Sequence, residues 1–323
     1  MSQTPAVSVL MPIHGDAPFL EQAIQSVESQ TLKSWELLLI QDRPTASTIQ
    51  KCIDAQSGNP RIRLVTSTSN GISSALNTGL RITRSPFVAR IDSDDLMKPN
   101  RLLTQLAVME RKPDLVGLGS QAEYIDSNGL VTGKSYYPTT NWEIRALLPF
   151  VNPLIHPSVM IRSEALKSIA GYRTELDGVE DYNLWLRLSQ LGKLENLDQF
   201  LIEYRRHPNQ SSEKNRDVTS ALQRIARLNA LGVDTKPPST SWAVHFASKE
   251  AKEKKLQTSL LEKQAGKSIQ RVLRAGRGLT DFLSKKALDR FFHLLFAIIN
   301  APIKSSAALI VLTRAKMKDY SWN

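Results

Sequence analysis

The sequence predicts an α/β protein whose central sheet is mostly parallel and flanked by helices. Short apolar runs alternate with helical patterns of about 10–15 residues, and several of these runs are apolar at nearly every position. Strands that are apolar throughout belong in a sheet that is covered on both faces. Acidic residues directly follow two of the runs, at the carboxyl ends of strands where such sheets bind their ligands.

The alternation of strands and helices is clearest in the first hundred residues and weaker after Pro113. Phe19, Leu20, Ala23 and Val27 recur at helical spacing and predict one apolar helix face. The predicted strands are Val7–Met11, Glu36–Ile40, Ile62–Val65, Phe87–Ile91, a strand within Asp114–Tyr124, Ser158–Ile161 and Phe200–Arg205. The predicted helices are Pro18–Ser29, Ser47–Ala55, Ser73–Ile82, Asn141–Leu148 and Glu180–Leu191.

The distribution of charge divides the chain into two regions. Residues 1–212 carry 21 lysines and arginines against 22 aspartates and glutamates, whereas residues 213–323 carry 21 against 9. We therefore predict an α/β domain over residues 1–212 and a helical, basic region over residues 213–323. Because the whole positive excess lies in the second region, we expect that region to have an anionic partner.

The basic region also contains apolar runs. Lysines and arginines alternate with leucines and isoleucines over residues 249–290, and apolar runs follow at residues 291–299 and 307–312. Each run is shorter than the roughly 20 residues needed to span a bilayer, so we expect helices lying in the interface of an anionic membrane. The alternatives are that these runs pack on the first domain or form a dimer contact. No nucleic-acid-binding motif accompanies the charge, so we expect no nucleic acid partner.

Cysteine content and the N-terminal residues bear on the compartment. The single cysteine, Cys52, excludes a disulfide within the chain, which fits a reducing environment. The first residues lack the basic segment and long apolar segment of a secretory signal. We expect a cytoplasmic protein that is peripheral on the inner face of the cell membrane.

Asp92, Asp94 and Asp95 follow the fourth predicted strand and allow two interpretations. Carboxylates at a strand end can hold Mg²⁺ or Mn²⁺ together with the phosphates of a substrate. Alternatively, Asp94 or Asp95 caps the helix that begins near Pro99. The three residues alone do not decide between these interpretations.

Two further acidic positions have both a structural and a functional interpretation. Asp42 follows the second strand and is either an ordinary turn residue before Pro44 or part of the same crevice as Asp92. Glu180 and Asp181 open a predicted helix, where the helix dipole favours acids. The functional interpretation makes Asp181 a general base that takes a proton from an acceptor hydroxyl.

The order of these motifs resembles that of the family 2 glycosyltransferases, which have the GT-A fold. The resemblance covers about residues 6–212 and involves several ordered motifs, so it is more specific than any one of them. The matching segments are VSVLMP (7–12), ELLLIQD (36–42), ALNTGL (75–80), VARIDSDDLMKPNRL (88–102), NPLIHPSVM (152–160) and EDYNLW (180–185).

The resemblance implies a set of donor-binding residues. Asp42 would bond the nucleotide base, usually uracil, while Asp92 and Asp94 would hold Mn²⁺ or Mg²⁺ and through it the diphosphate. The whole implied donor set is Pro12, His14, Asp42, Asn77, Arg90, Asp92 and Asp94.

The resemblance also implies the catalytic and acceptor residues. Asp181, with Glu180 beside it, would be the base of an inverting transfer, and His156, Trp185 and Arg187 would lie where the acceptor approaches. The implied reaction moves a sugar from a nucleotide diphosphate sugar, expected to be a UDP-sugar, to a hydroxyl of a glycan or lipid-linked acceptor in polysaccharide or lipopolysaccharide biosynthesis. The alternative is a non-catalytic scaffold or nucleotide-sugar-binding module of the same fold.

Two positions depart from the usual pattern of the family. Gln41 stands where a second aspartate is common, which bears on the identity of the nucleotide. Leu76 stands where an arginine often precedes Asn77, which removes one cation that could face a phosphate. Arg90 or Arg84 could supply a positive charge instead, and both also fit solvated surface positions.

Overall fold

The computed structural model of the protein describes residues 4–148 and 151–207. Its strands are β1 (Val7–Gly15), β2 (Trp35–Pro44), β3 (Ile62–Thr66), β4 (Phe87–Arg90), β5 (Leu96–Met97), β6 (Leu115–Ile125), β7 (Val131–Lys134), β8 (Met160–Arg162) and β9 (Lys193–Arg205). Its α-helices are α1 (Leu20–Glu28), α2 (Ala46–Gly58), α3 (Ile72–Ile82), α4 (Arg101–Arg111), α5 (Asn141–Leu147), α6 (Ser163–Ser168) and α7 (Glu180–Leu188). Short 3-10 turns lie at His156–Ser158 and Thr174–Leu176.

The strands form one sheet in the order β3-β2-β1-β4-β8-β6-β9-β5, and β7 pairs with β6 beyond the end of β8. Strands β1 to β4 are parallel to one another, as the sequence predicts. The other half of the sheet is mixed, because β8 is antiparallel to both β4 and β6, and β9 is parallel to β6. The prediction of a mostly parallel sheet is therefore wrong for this half. A buried apolar run has the same composition in either direction, so its sequence does not set strand polarity.

Both faces of the parallel half are buried, which explains the continuous apolar runs. Val9 and Met11 of β1 face one core, which helices α1, α2 and α4 cover. Leu10 of β1 and Leu38 of β2 face a second core, which α3, α5, α6 and α7 cover. Alternate side chains of a strand point to opposite faces, so a strand in the middle of two cores must be apolar at every position.

Helix α3 packs unusually close to the sheet, and this closeness positions its N-terminus beside the functional edge. A Cβ atom added at Gly79 would lie 2.5 Å from Ile40 Cδ1 and 2.9 Å from Leu10 Cδ2. A larger residue at this position would therefore force these buried side-chain ends to shift. The helix begins after Gly71, whose φ of 102° lies in the left-handed region that favours glycine.

The predictions about the basic C-terminal region lie outside the described residues. These are the boundary near residues 211–212, the helices of residues 213–323 and their contact with a membrane. Among the residues that the structure describes, no helix combines the length and apolar character needed to cross a membrane.

Candidate active site

The carboxyl ends of β1, β2 and β4 lie side by side and form the edge on which the predicted donor residues stand. His14 of β1 is paired in register with Asp42 of β2, and Pro12 lies two residues earlier on the same face of β1. Asp92 comes two residues after the last residue of β4. The parallel half of the sheet thus brings the first and second acidic motifs to one edge.

Asp42 is buried, and donors from its surroundings fix its orientation. Its Oδ2 atom accepts a hydrogen bond of 3.0 Å from the Gly71 backbone N–H and lies 3.3 Å from His14 Nδ1. Its Oδ1 atom accepts a bond of 3.2 Å from Arg43 Nε. The carboxylate therefore has a defined direction at the strand end, as recognition of a nucleobase requires.

Asp92, Asp94 and Asp95, here called the acidic cluster, offer carboxylate oxygens that all lie within 4.8 Å of one another. Asp95 is fully buried, whereas the side chains of Asp92 and Asp94 retain 28% and 26% exposure. Helix α4 begins at Arg101, and its N-cap residue Asn100 makes no side-chain cap. None of the three aspartates caps α4, so the capping interpretation is wrong.

The acidic cluster carries more negative charge than its protein surroundings neutralise. Burial raises the pKa of Asp92 to about 6, with the Arg90 guanidinium opposing this effect and Asp94 adding to it. Burial and the other two aspartates raise the pKa of Asp95 well above its usual value. Arg90 is buried and forms an ion pair with Asp92, so it is a constituent of the site and not a solvated surface residue.

The chain after β9 encloses the acidic cluster from the opposite side. Asp95 Oδ1 accepts a bond of 2.8 Å from the Arg205 backbone N–H, and Arg205 Nε donates to the Asp94 carbonyl at 2.9 Å. His207 Nε2 lies 3.0 Å from Asp94 Oδ2. The segment YRRH (204–207) includes His207 in the resemblance to the family, but the sequence does not link this histidine to Asp94, because 113 residues separate the two. The antiparallel pairing of β5 with β9 brings the two together.

The chemistry of this donor set fits a divalent cation. Asp92 and Asp94 offer accessible carboxylate oxygens, and His207 adds an imidazole nitrogen beside them. The Asp95 Oδ2 atom is buried and has no hydrogen-bond partner among the described residues. Mg²⁺ and Mn²⁺ prefer oxygen ligands, and transition metals such as Mn²⁺ also accept imidazole.

Glu180 and Asp181 stand in the first turn of α7, where different donors hold their carboxyl groups. Asp181 Oδ1 accepts from the Tyr182 N–H and Oδ2 accepts from Asn152 Nδ2, both at 2.6 Å. Glu180 Oε2 accepts from the Gly178 N–H at 2.7 Å. Burial raises the pKa of Glu180 to about 8, and the charge of Asp181 adds to the effect. The raised pKa favours the protonated form of Glu180 at neutral pH, whereas the two hydrogen bonds favour the ionised form of Asp181.

The acidic cluster and Asp181 share one cleft. Burial raises the pKa of Asp181, while the two N–H donors and the positive charge of Arg90 oppose the shift. The charge of Asp181 in turn contributes to the raised pKa of Asp92. Each group thus lies within range of a direct charge interaction with the other. Strand β4, which ends at Arg90, pairs with β8, and His156 just before β8 lies 3.8 Å from Glu180 Oε1, so the candidate base and the candidate cation site stand on neighbouring segments.

The structure corrects the predicted acceptor region. Trp185 is fully buried in the second core, so it cannot contact an acceptor. Arg187 donates to the carbonyls of Ile169 and Gly171 at 2.8 and 2.7 Å and thereby holds the turn after α6. His156 is also buried, with Nε2 3.0 Å from the Tyr172 hydroxyl. These three side chains support the cleft from behind.

His156 and Asn77 both contact Tyr172. His156 Nδ1 lies 3.8 Å from Glu180 Oε1, and burial lowers the pKa of His156 well below its usual value, so the imidazole is neutral. Asn77 Nδ2 donates to the Tyr172 carbonyl and Asn77 Oδ1 accepts from the Tyr172 N–H, both at 2.8 Å. Because both ends of its amide bind this backbone, Asn77 positions Tyr172 instead of facing a donor.

Comparison with known proteins identifies the family. The sequence profile of glycosyl transferase family 2 matches residues 8–169. The chain is 33% identical over 189 residues to the amylovoran biosynthesis glycosyltransferase AmsE of Erwinia amylovora, covering 58% of this chain and 70% of AmsE. It is 31% identical over 212 residues to the O-antigen biosynthesis glycosyltransferase WbnJ of Escherichia coli, covering 64% of this chain and 82% of WbnJ.

Solved structures share the fold. Residues 1–349 of S. aureus TarS, in complex with UDP-GlcNAc, superpose with a TM-score of 0.58 at 17% identity, over 72% of this chain and 68% of that one. The mannosyltransferase PcManGT of Pyrobaculum calidifontis, in complex with GDP-Man and Mn²⁺, gives a TM-score of 0.54 at 15% identity, over 99% of this chain and 89% of that one. Profile, relatives and fold agree with the order of the motifs and the geometry of the cleft. The chain belongs to glycosyl transferase family 2 and is a glycosyltransferase.

Proposed function

We propose that this enzyme transfers a sugar from a nucleotide diphosphate sugar, expected to be a UDP-sugar, to a hydroxyl of a glycan or lipid-linked acceptor with inversion at the anomeric carbon. One observation carries the proposal: Asp181 accepts hydrogen bonds from two N–H donors and stands on a segment adjoining the acidic cluster. Glu180 beside it lies 3.8 Å from His156, whose segment runs into β8, and β8 pairs with β4, the strand that ends at Arg90. An inverting transfer needs a base on one side of the anomeric carbon and a stabilised leaving group on the other.

On the donor side, Asp42 would accept a hydrogen bond from the nucleobase beside His14 and Pro12. Asp92, Asp94 and His207 would hold the divalent ion, which when bound neutralises the diphosphate and the charge that develops on the leaving nucleoside diphosphate. Structures of the same fold in complex with UDP-GlcNAc, and with GDP-Man and Mn²⁺, support this assignment. Arg90, buried next to Asp92, adds a fixed positive charge to the same side of the cleft.

On the acceptor side, Asp181 would take the proton of the attacking hydroxyl. The hydroxyl oxygen then forms the new bond to the anomeric carbon while the bond to the diphosphate oxygen breaks, and its electron pair leaves with the diphosphate. Glu180 does not compete for the proton, because it is itself mostly protonated at neutral pH. A positioned general base contributes about 10²- to 10⁴-fold to such a rate.

The relatives support a role in surface polysaccharide synthesis, since two of them are named for amylovoran and O-antigen biosynthesis. The membrane assignment depends on residues 213–323, whose excess of lysine and arginine favours an anionic surface. Flotation of the full chain on anionic and on neutral vesicles tests it. Equal flotation on both kinds of vesicle would contradict an electrostatic attachment.

The proposed function is tested by calorimetric binding of UDP and GDP, first with Mn²⁺ and then after its removal by EDTA. We expect one nucleotide to bind and the binding to require metal. No binding of either nucleotide would contradict the donor site at the acidic cluster. Metal-dependent binding without turnover of any nucleotide sugar would favour the non-catalytic alternative.

A further inference from the structure

A partly exposed group of aromatic residues lies close to Asp181, because Asn196 Nδ2 donates to the carbonyls of Pro138, next to one of these residues, and of Pro153, next to Asn152, which holds Asp181. It consists of Tyr124, Tyr137 and Tyr204, together with the exposed Arg206, and is here called the tyrosine wall. Burial raises the pKa of Tyr137, and the charges of Asp181 and Arg206 act on it in opposite directions. The Tyr137 phenol therefore lies within charge range of the proposed base on one side and of an arginine on the other.

The tyrosine wall is built on two neighbouring strands. Strands β6 and β9 are parallel, and Tyr124 is paired in register with Tyr204. The two rings make an edge-to-face contact with centroids 6.0 Å apart. The Arg206 guanidinium carbon lies 3.6 Å from the centroid of the Tyr124 ring. Stacked on this ring, the arginine keeps its N–H groups available at the rim of the wall.

Tyr137 is held in place by its backbone, while its hydroxyl remains available. The buried Gln121 side chain donates to the Tyr137 carbonyl at 2.9 Å and accepts from the Tyr137 N–H at 2.8 Å. Tyr137 and Tyr204 both pack against the small apolar cluster of Ala122, Ile155 and Ile202. No residue in the described part of the chain hydrogen-bonds the Tyr137 hydroxyl, and no described carboxylate lies within ion-pair distance of Arg206.

We propose that the tyrosine wall is the acceptor subsite, and that the acceptor is a pyranoside bearing an anionic group. The sugar ring lies against the tyrosine faces, and a carboxylate or phosphate on the acceptor binds Arg206. Binding sites for small molecules combine aromatic lining with a few polar groups that fix orientation, and a guanidinium fork matches carboxylate and phosphate oxygens. This inference rests on the proposed function, since it places the acceptor hydroxyl near Asp181.

The test uses the full chain and three acceptor probes of similar size: an oligosaccharide ending in a hexuronic acid, a short-alkyl pyranosyl diphosphate and a neutral oligosaccharide. Transfer to each probe is measured beside the slow hydrolysis of the donor by water without acceptor. The variants are Tyr137→Ala, Tyr137→Phe and Arg206→Gln. Matched controls are Tyr136→Ala, the adjacent tyrosine that is 61% exposed and packs on Phe200, and Arg111→Gln, an exposed arginine at the end of α4.

We expect the wild-type enzyme to prefer one or both anionic probes to the neutral probe. Comparison of the two anionic probes shows whether the bound group is the carboxylate of a uronic acid or a phosphate. Tyr137→Ala and Arg206→Gln should raise the acceptor KM about tenfold or more, which corresponds to about 1.4 kcal/mol. Arg206→Gln should also reduce the preference for anionic probes, and Tyr137→Phe should have a smaller effect. In all three variants, metal-dependent nucleotide binding and donor hydrolysis should stay within about twofold of wild type. The acceptor KM of both control variants should also stay within about twofold of wild type.

Three results would overturn this inference and leave the proposed function standing. The first is an unchanged acceptor KM in Tyr137→Ala and Arg206→Gln, and the second is equal use of neutral and anionic probes by the wild-type enzyme. The third is a wild-type enzyme that hydrolyses the donor but neither binds nor glycosylates any anionic probe. Loss of donor hydrolysis in the variants would also count against it, because the residues would then serve the donor. A wild-type protein without metal-dependent nucleotide binding or donor hydrolysis would overturn the proposed function and this inference together.

Discussion

The acidic cluster and the Glu180–Asp181 pair are both crowded and at least partly buried, yet their carboxyl groups are satisfied in different ways. In the cluster, Arg90 pairs with Asp92 and His207 lies beside Asp94, while one oxygen of Asp95 has no partner among the described residues. In the pair, each acid accepts a short bond from a backbone N–H, and Asp181 accepts a second from Asn152. The first region keeps an unpartnered carboxylate oxygen and fits a cation, whereas in the second the hydrogen bonds favour Asp181 as the proton acceptor. Similar acids therefore acquire different chemistry from their surroundings.

The largest expected effect separates the two members of the pair. Asp181→Asn should lower the rate of sugar transfer by about 10³-fold or more, because an amide cannot take the acceptor proton. Glu180→Gln should lower it by only about tenfold or less, because Glu180 is already mostly protonated near neutral pH. Single-turnover transfer at pH 7 measures both variants.

Nucleotide binding provides the control for this comparison. Both variants should keep metal-dependent binding of the nucleotide within about twofold of wild type, since neither residue is assigned to the donor. If Glu180→Gln and Asp181→Asn lowered transfer equally, the two carboxyl groups would act as a unit and the distinction would be wrong. If Asp181→Asn abolished nucleotide binding, its assignment as the base would be wrong.

The next largest effect concerns nucleotide binding at the acidic cluster. Asp94→Asn should weaken Mn²⁺-dependent binding of UDP or GDP by about 100-fold or more, because it removes a carboxylate beside both Asp92 and His207. Glu110→Gln, which removes an exposed acid of α4, should leave binding unchanged and controls for the loss of one negative charge. Titration of the nucleotide at several Mn²⁺ concentrations measures the change. Metal-independent binding by Asp94→Asn at wild-type affinity would contradict the cation site.

A smaller effect should appear in the pH dependence. Burial raises the pKa of Asp181, and the bond from Asn152 lowers it. Transfer requires ionised Asp181, so it is lost as pH falls through this pKa. Asn152→Ala removes the opposing bond and should move the acid limb of kcat/KM upward by about one pH unit, the equivalent of about 1.4 kcal/mol. A variant whose kcat falls equally at all pH values would show that Asn152 only orients the carboxylate.

Much of the parallel half of the sheet and its strand-end acids could be predicted from the sequence, because these features depend on local pattern. Continuous apolar strands imply two covered faces, and parallel strands bring their ends to one edge. The direct contacts of Asp42, Asp92 and Asp94 follow from this arrangement. The matching order of motifs along residues 6–212 then points to the family, which the comparisons confirm.

The remaining site residues depend on distant contacts that no local pattern encodes. His207 reaches Asp94 because β9 pairs with β5, and the Tyr137 backbone is held by Gln121 while the next residue, Pro138, is joined to Pro153 through Asn196. Trp185 was expected near the acceptor from its motif, yet its apolar spacing on α7 also fits the core position that it occupies. A motif thus predicts where a residue lies along the chain, but it does not predict the direction in which the side chain points.

The smallest expected effect tests this last point at Asn77, which the resemblance assigns to the donor and the contacts assign to Tyr172. Asn77→Ala removes two hydrogen bonds to a buried turn, so it should lower the free energy of unfolding by about 1–3 kcal/mol. Nucleotide affinity should stay within about twofold of wild type, whereas a donor contact would lose about tenfold or more. Asn128→Ala, in the exposed turn between β6 and β7, controls for the substitution itself. Denaturant unfolding and calorimetry on the same preparations decide between the two roles. A loss of stability with unchanged nucleotide affinity supports the contact with Tyr172, whereas a loss of affinity with unchanged stability supports a donor contact.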